Sequence, residues 1–255
     1  MWMRTSMVAE DWFQNCAEEF NSGLETAMGG ALTSPGGRSV SRLQITRALE
    51  YPWALHAAPP QGNILDVGSE SQFHCALLGL GHRVTSHHSP LDTPTLGRMF
   101  GWEADYHGGI SLEQCYMKYR EKFTLVMGFL DQLQFIRDEV FDTIYCISVI
   151  EHVFQEELDP LMQGMWRLLA PGGKMCITCD FWPSWNMNDG INEKVNNWDL
   201  MPFVKELGVE PGPLTSEIPG HEDYDPSTVH DKDVLHVDWY YPLTVYGFVI
   251  QKPAQ

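Results

Sequence analysis

The segment Asn63-Ile-Leu-Asp-Val-Gly-Ser69 constrains this chain more than any other. A short apolar run ends in an acidic residue and then a glycine, and Ser71 to Leu80 follows with a helix-like pattern. Runs of this kind read as buried parallel strands, and open α/β sheets bind ligands at the carboxyl ends of such strands. Gly68 lets the backbone turn sharply and come close to a ligand. Asp66 sets a carboxylate beside that turn, suited to a cation or to hydroxyls and repulsive to a pyrophosphate. The combination points to a nucleoside-type ligand without phosphates.

The rest of the chain repeats the strand–helix alternation of a parallel sheet. Gly81 to His88 reads as a second strand, Phe123 to Leu130 as a third and Val140 to Ile147 as a fourth. Thr93–Phe100 and Ser111–Lys122 are candidate helices in the long link between the second and third. Glu156 to Leu169 reads as a helix stopped by Pro171-Gly-Gly173, with a strand at Met175 to Asp180 and a final one at Leu243 to Gln251. Ahead of the core, Val8 to Phe20 and Ser39 to His56 are helix-like, with Pro52 and Pro59-Pro60 limiting the second. Ser22 to Gly37, rich in glycine, reads as a loop. Beyond Asp180, Phe181-Trp-Pro-Ser-Trp-Asn186 is aromatic and loop-like, and Asn196 to Leu207 is a further candidate helix.

Taken in order, the "LDVGS", "FDTIYCISVIEHV" and "LLAPGGK" segments make the chain resemble a class I S-adenosylmethionine-dependent methyltransferase from about Gln61 to Asp180. The fold so implied is a Rossmann-like three-layer α/β/α sandwich, mostly parallel with an antiparallel last strand. Residues 1–60 form a helical extension on the lid or substrate side. Residues 61–255 form the core, with an aromatic and acidic insertion at about 181–240. The implied cofactor is S-adenosylmethionine, the product S-adenosylhomocysteine, and the acceptor a small molecule.

The resemblance places Asp66, Gly68, Ser69 and Glu70 on the methionine side of the cofactor. It places Phe129, Leu130 and Asp131 at the adenine, and Ser148 near the reactive sulfonium. His88 stands where the family usually has a carboxylate for the ribose hydroxyls. An imidazole cannot accept from two hydroxyls as a carboxylate does, so either His88 makes a weaker contact, Asp92 replaces it, or affinity is low. For Phe129 a plain core role is the alternative. His152 is the candidate general base, because an imidazole near its ordinary pKa suits proton removal near neutrality. Bracing of the sheet edge by Glu151-His152 is the favoured alternative. Trp53, Glu151, Phe181, Trp182 and Trp185 are candidate acceptor contacts, the aromatics by stacking or cation–π attraction.

Charge and composition exclude more than they identify. Against 16 Lys+Arg stand 34 Asp+Glu, a formal net charge of −18, and 13 acidic against 4 basic side chains lie in residues 180–255. Nucleic-acid binding draws its affinity from basic groups on phosphates, so neither nucleic acid nor an anionic membrane is expected as a partner. A homodimer is left open. Six cysteines at irregular spacing and no leader-like start at Met1 to Glu10 imply a cytoplasmic setting. Cys176-Ile-Thr-Cys179 sits in a strand, where side chains three apart face opposite ways, which argues against a redox or zinc pair. The His/Asp-rich stretch 221–238 reads as a solvated loop, and no metal ligands are assigned.

Three rivals stand beside this reading. A nicotinamide oxidoreductase would want G-x-G-x-x-G, which is absent. A relative that binds the cofactor without transferring methyl, and a non-enzymatic interaction protein, remain as alternatives.

Overall fold

A computed structural model describes residues 5–29, 47–69, 71–88, 112–150, 153, 155–181, 237–238 and 242–254. The chain is an α/β protein built on a seven-stranded sheet. In chain order the described elements are α1 (Asp11–Met28), α2 (Arg47–Ala57), β1 (Asn63–Val67), α3 (Ser71–Gly79), β2 (Arg83–His88) and α4 (Leu112–Lys118). They continue with β3 (Phe123–Met127), β4 (Phe141–Ile147), α5 (Gln155–Leu168), β5 (Leu169–Phe181), β6 (Val237–Asp238) and β7 (Pro242–Gln251). The strand order is β3-β2-β1-β4-β5-β7-β6. Strands β1 to β5 pair in parallel, whereas β7 runs antiparallel to β5 and β6 antiparallel to β7. The order reverses at β1, which has β2 on one side and β4 on the other. That is the switch point where open sheets of this kind take ligands.

Strict alternation divides the strand residues between two cores. Ile64, Tyr145, Ile147 and Cys176 face a cluster completed by α1, α2, α3 and α4. Leu65, Val67, Ile144, Cys146, Ile177 and Cys179 face a second cluster, where Leu158, Met162, Met165 and Leu168 of α5 pack. Helices therefore cover both faces, giving three layers. Cys176 and Cys179 indeed lie on opposite faces.

The N-terminal helices depart from the pattern read in the sequence. The first helix begins at Asp11, after a 3-10 turn at Thr5–Ala9, and runs through the expected loop as far as Met28. Gly23 is a packing residue and does not break the helix. A Cβ on Gly79 of α3 would lie 1.7 Å from the Gly23 carbonyl oxygen, and one on Gly23 would lie 2.5 Å from the Ala76 carbonyl oxygen. A glycine in a helix costs about 1 kcal/mol, here offset by letting α1 and α3 touch backbone to backbone. Pro52 also fails to end its helix and sits inside α2. Burial of Tyr51, Trp53, Ala54 and Leu55 outweighs the hydrogen bond that proline removes.

Elsewhere the differences are at element ends. The third strand stops at Met127, and Leu130–Gln132 forms a 3-10 turn. The fifth strand starts at Leu169, so Pro171-Gly-Gly173 belongs to it, with Gly172 at φ +78°. Expectations for Thr93–Phe100, Asn196–Leu207 and the stretch 221–236 fall outside the described residues.

Candidate functional site

Two buried polar networks occupy the same face of the sheet, at the carboxyl ends of its central strands. The first surrounds Asp66. Period-2 alternation points Asp66 the same way as Ile64, toward α3, and it is level with Ser86 of β2. His74, on α3, donates from Nδ1 to Asp66 Oδ2 at 3.1 Å, and His74 Nε2 accepts from the Tyr116 hydroxyl of α4 at 2.6 Å. Ser86 Oγ and His88 Nε2 lie 3.1 Å apart. All of these side chains are buried.

The second network is held by α2. Glu50 Oε1 accepts from the Ser148 hydroxyl at 2.7 Å and from the Thr178 hydroxyl at 2.5 Å, at the ends of β4 and β5. Arg47 donates to Glu50 Oε2 and to Ser148 Oγ. Ser148 has φ +50°, a left-handed conformation that a non-glycine residue adopts at some cost. The two networks are neighbours. A Cβ on Gly68, itself at φ +69°, would lie 2.9 Å from Val149 Cγ2, one residue beyond Ser148. Only glycine fits that turn.

The first network is incomplete in a particular way. Asp66 Oδ1, Ser69 Oγ, Gln72 Oε1 and His87 Nδ1 are buried without a hydrogen-bond partner. His87 donates from Nε2 to the Gly128 carbonyl at 2.7 Å, which leaves Nδ1 as an acceptor. Burial pushes the His87 pKa down to about 4, so the ring is neutral near pH 7. Native proteins rarely leave such atoms unmatched. Three of the four can only accept, and Ser69 can accept or donate. Asp66 Oδ1 and Ser69 Oγ, beside the Gly68 turn, suit a ligand with N–H and O–H donors, whereas His87 points to the opposite face of β2.

Among the expected site residues, Asp66, Gly68, Ser69, His88 and Ser148 come together at the strand ends. Leu130 turns its side chain into the core against α5, and Asp131 is exposed. Phe129 is 38% exposed, so a plain core role does not hold for it. Trp53, expected at a pocket mouth, is 3% exposed, and its ring packs on Gly247 of β7, where a Cβ would come within 2.6 Å. It is a core residue, because α2 lies down on the sheet. Phe181 ends β5, while Glu70, Asp92, Glu151, His152, Trp182 and Trp185 lie outside the described residues.

Arg47, Glu50, His74, His87 and Thr178 were not singled out from the sequence. An Arg-x-x-Glu pair on an otherwise apolar helix face was the available signal for the first two. Nothing local marked the others.

A family model described as a methyltransferase domain matches residues 109–177, the stretch from before α4 into β5. No curated protein matches the chain. Among solved structures, the glycopeptide N-methyltransferase MtfA complexed with S-adenosylmethionine is 20% identical over 49% of this chain and 50% of its own, with a TM-score of 0.37. The PH0226 protein from Pyrococcus horikoshii OT3 is 20% identical over 57% and 63%, with a TM-score of 0.40. Phosphoethanolamine N-methyltransferase 2 of Haemonchus contortus, in complex with S-adenosylmethionine, is 18% identical over 93% and 57%, with a TM-score of 0.48. The chain thus spans between 50% and 63% of the length of these structures. Over residues 109–177 the chain is thus similar to a methyltransferase domain, and the sheet order and the acid–glycine turn after β1 accord with that likeness.

Proposed function

We propose that this chain transfers the methyl group of S-adenosylmethionine to a small-molecule acceptor by direct in-line displacement. One observation carries the reading: Asp66 Oδ1 and Ser69 Oγ are buried and unmatched beside the left-handed Gly68 turn. The cofactor fits them, because its ammonium, ribose hydroxyls and adenine amino group are all donors. When bound, it supplies a methyl group on a sulfonium that a nucleophile can attack directly.

The chain's residues then bind and orient. Asp66 and Ser69 take the methionine end, with Glu70 beside them in sequence, and Gly68 lets the backbone close in. His74, backed by Tyr116, holds Asp66 Oδ2 so that Oδ1 is left to face the ligand. His88 serves the ribose side, and the turn at Phe129, Leu130 and Asp131 serves the adenine. Ser148 lines the reacting end, together with Glu151 and His152. Phe181, Trp182 and Trp185 contact the acceptor. Holding the nucleophile in line, about 3 Å from the methyl, supplies much of the rate in such a displacement.

Calorimetric titration with S-adenosylmethionine and with S-adenosylhomocysteine tests the binding half. Micromolar affinity for both is expected, followed by transfer of labelled methyl to small acceptors. Absence of any binding sinks the reading; tight binding with no transfer to any acceptor leaves a cofactor-binding protein.

A further inference from the structure

A buried ion pair is a poor stabiliser compared with apolar side chains of equal volume, so one at a ligand-binding strand edge calls for another reason. Arg47 and Glu50 form such a pair, both side chains being at least nine-tenths buried. Glu50 reaches the ends of β4 and β5, next to the residue that abuts the Gly68 turn. A carboxylate offers roughly four acceptor directions. The Ser148 and Thr178 hydroxyls occupy both on Oε1, and Arg47 occupies one on Oε2. One direction on Oε2 remains. The hydroxyls fix the plane of the carboxylate, and the strained Ser148 backbone aims one of them.

We infer that Glu50 is the acceptor-facing group of this site and that the acceptor is a small primary or secondary amine. The inference rests on the methyltransferase reading above and names its substrate class. An amine arrives mostly as its ammonium ion, drawn by a chain of net charge −18. It can attack only after losing a proton. Glu50 Oε2 accepts that proton. The nitrogen lone pair then forms the N–C bond as the C–S bond breaks, and the electron pair of that bond stays on sulfur as a neutral thioether. The charged or titratable groups facing Glu50 among the described residues are Arg47 on its own helix and the Cys176 thiol of β5, which burial and Glu50 keep protonated.

The test measures labelled-methyl transfer to ethanolamine, tyramine and histamine, with catechol and phenol as hydroxyl controls, in the full chain and in Glu50→Gln. The unmodified protein is expected to methylate at least one amine and neither control. Glu50→Gln should keep its affinity for S-adenosylmethionine within about threefold while kcat falls by about 10²-fold or more, the usual size of a proton-transfer contribution. Raising the pH should restore part of that loss, because free amine then arrives without Glu50; a purely structural role predicts no such recovery. Should Glu50→Gln not fold, Thr178→Val removes one of the hydroxyls on Oε1 and should lower kcat without changing cofactor affinity. Transfer to hydroxyls alone, or an unchanged kcat in a folded variant, overturns the proposal. Failure of the unmodified protein to bind the cofactor sinks the underlying reading, and this one with it.

Discussion

Asp66 and Glu50 are both fully buried carboxylates on one face of the sheet, at the ends of its central strands, yet they are finished differently. Glu50 is met by three donors from α2, β4 and β5. Asp66 has a single partner on Oδ2, His74, and nothing on Oδ1. Burying an unmatched carboxylate oxygen costs free energy, a cost that Asp66 bears and Glu50 does not. The contrast separates two tasks. Asp66 keeps one whole oxygen unmatched, whereas each Glu50 oxygen already holds a donor, which also ties α2 to the strand ends.

The largest expected effect is at the incomplete carboxylate. Asp66→Ala should leave no binding of S-adenosylmethionine measurable by calorimetry, with the circular-dichroism spectrum preserved. Normal binding in that variant would place the site elsewhere. At Glu50, removal of the Arg47 partner should act on stability first. Arg47→Met leaves Glu50 buried without its counter-charge and should cost about 3–5 kcal/mol in urea unfolding. Adding Glu50→Leu to it should recover most of that loss, as expected of a coupled pair; a simple sum of the two single effects would break the comparison.

A third prediction concerns His87, on the opposite face of β2 from Ser86 and His88. Its pKa falls from about 6.5 in the unfolded chain to about 4 in the folded one, because burial disfavours the imidazolium. The folded state thus resists a proton that the unfolded state takes up. Stability is fully present above pH 6.5 and is progressively lost as the pH falls toward 4, by up to roughly 3 kcal/mol. Unfolding of wild type and His87→Gln, compared across that window, should show a shallower slope in the variant. Equal slopes would remove His87 from the account. The smallest effect is at the far end of the first network: Tyr116→Phe deprives His74 Nε2 of its donor and should cost about 1 kcal/mol. A loss of cofactor affinity alongside it would tie the helix α4 to the Asp66 site.

Much of the fold is legible locally. Apolar runs of five to seven residues between helix-like segments give the parallel strands, and the last strand pairs antiparallel with β5 as expected. The turn at Asp66 and Gly68 is legible as well, because a glycine at a strand end can take the left-handed φ of +69° found there. Turn chemistry and period-2 alternation act over neighbouring residues, so the order of amino acids suffices to reveal them. The glycines misled where they serve contact between helices. Gly23 reads as a loop former until Gly79 is seen against it, and no local pattern links residues on separate helices. Trp53 likewise reads as an exposed aromatic until Gly247 is found beneath it.

The sequence by itself determined the class of sheet, its switch point and the acid–glycine turn at the end of β1. Only the tertiary structure decided which polar atoms are finished and which are waiting. Glu50 finds Ser148 and Thr178 at separations of 98 and 128 residues, and His74 joins Asp66 to Tyr116 across two helices. Hydrogen bonds of that span depend on which helix face lies on which strand end, a consequence of packing that short-range periodicity does not encode.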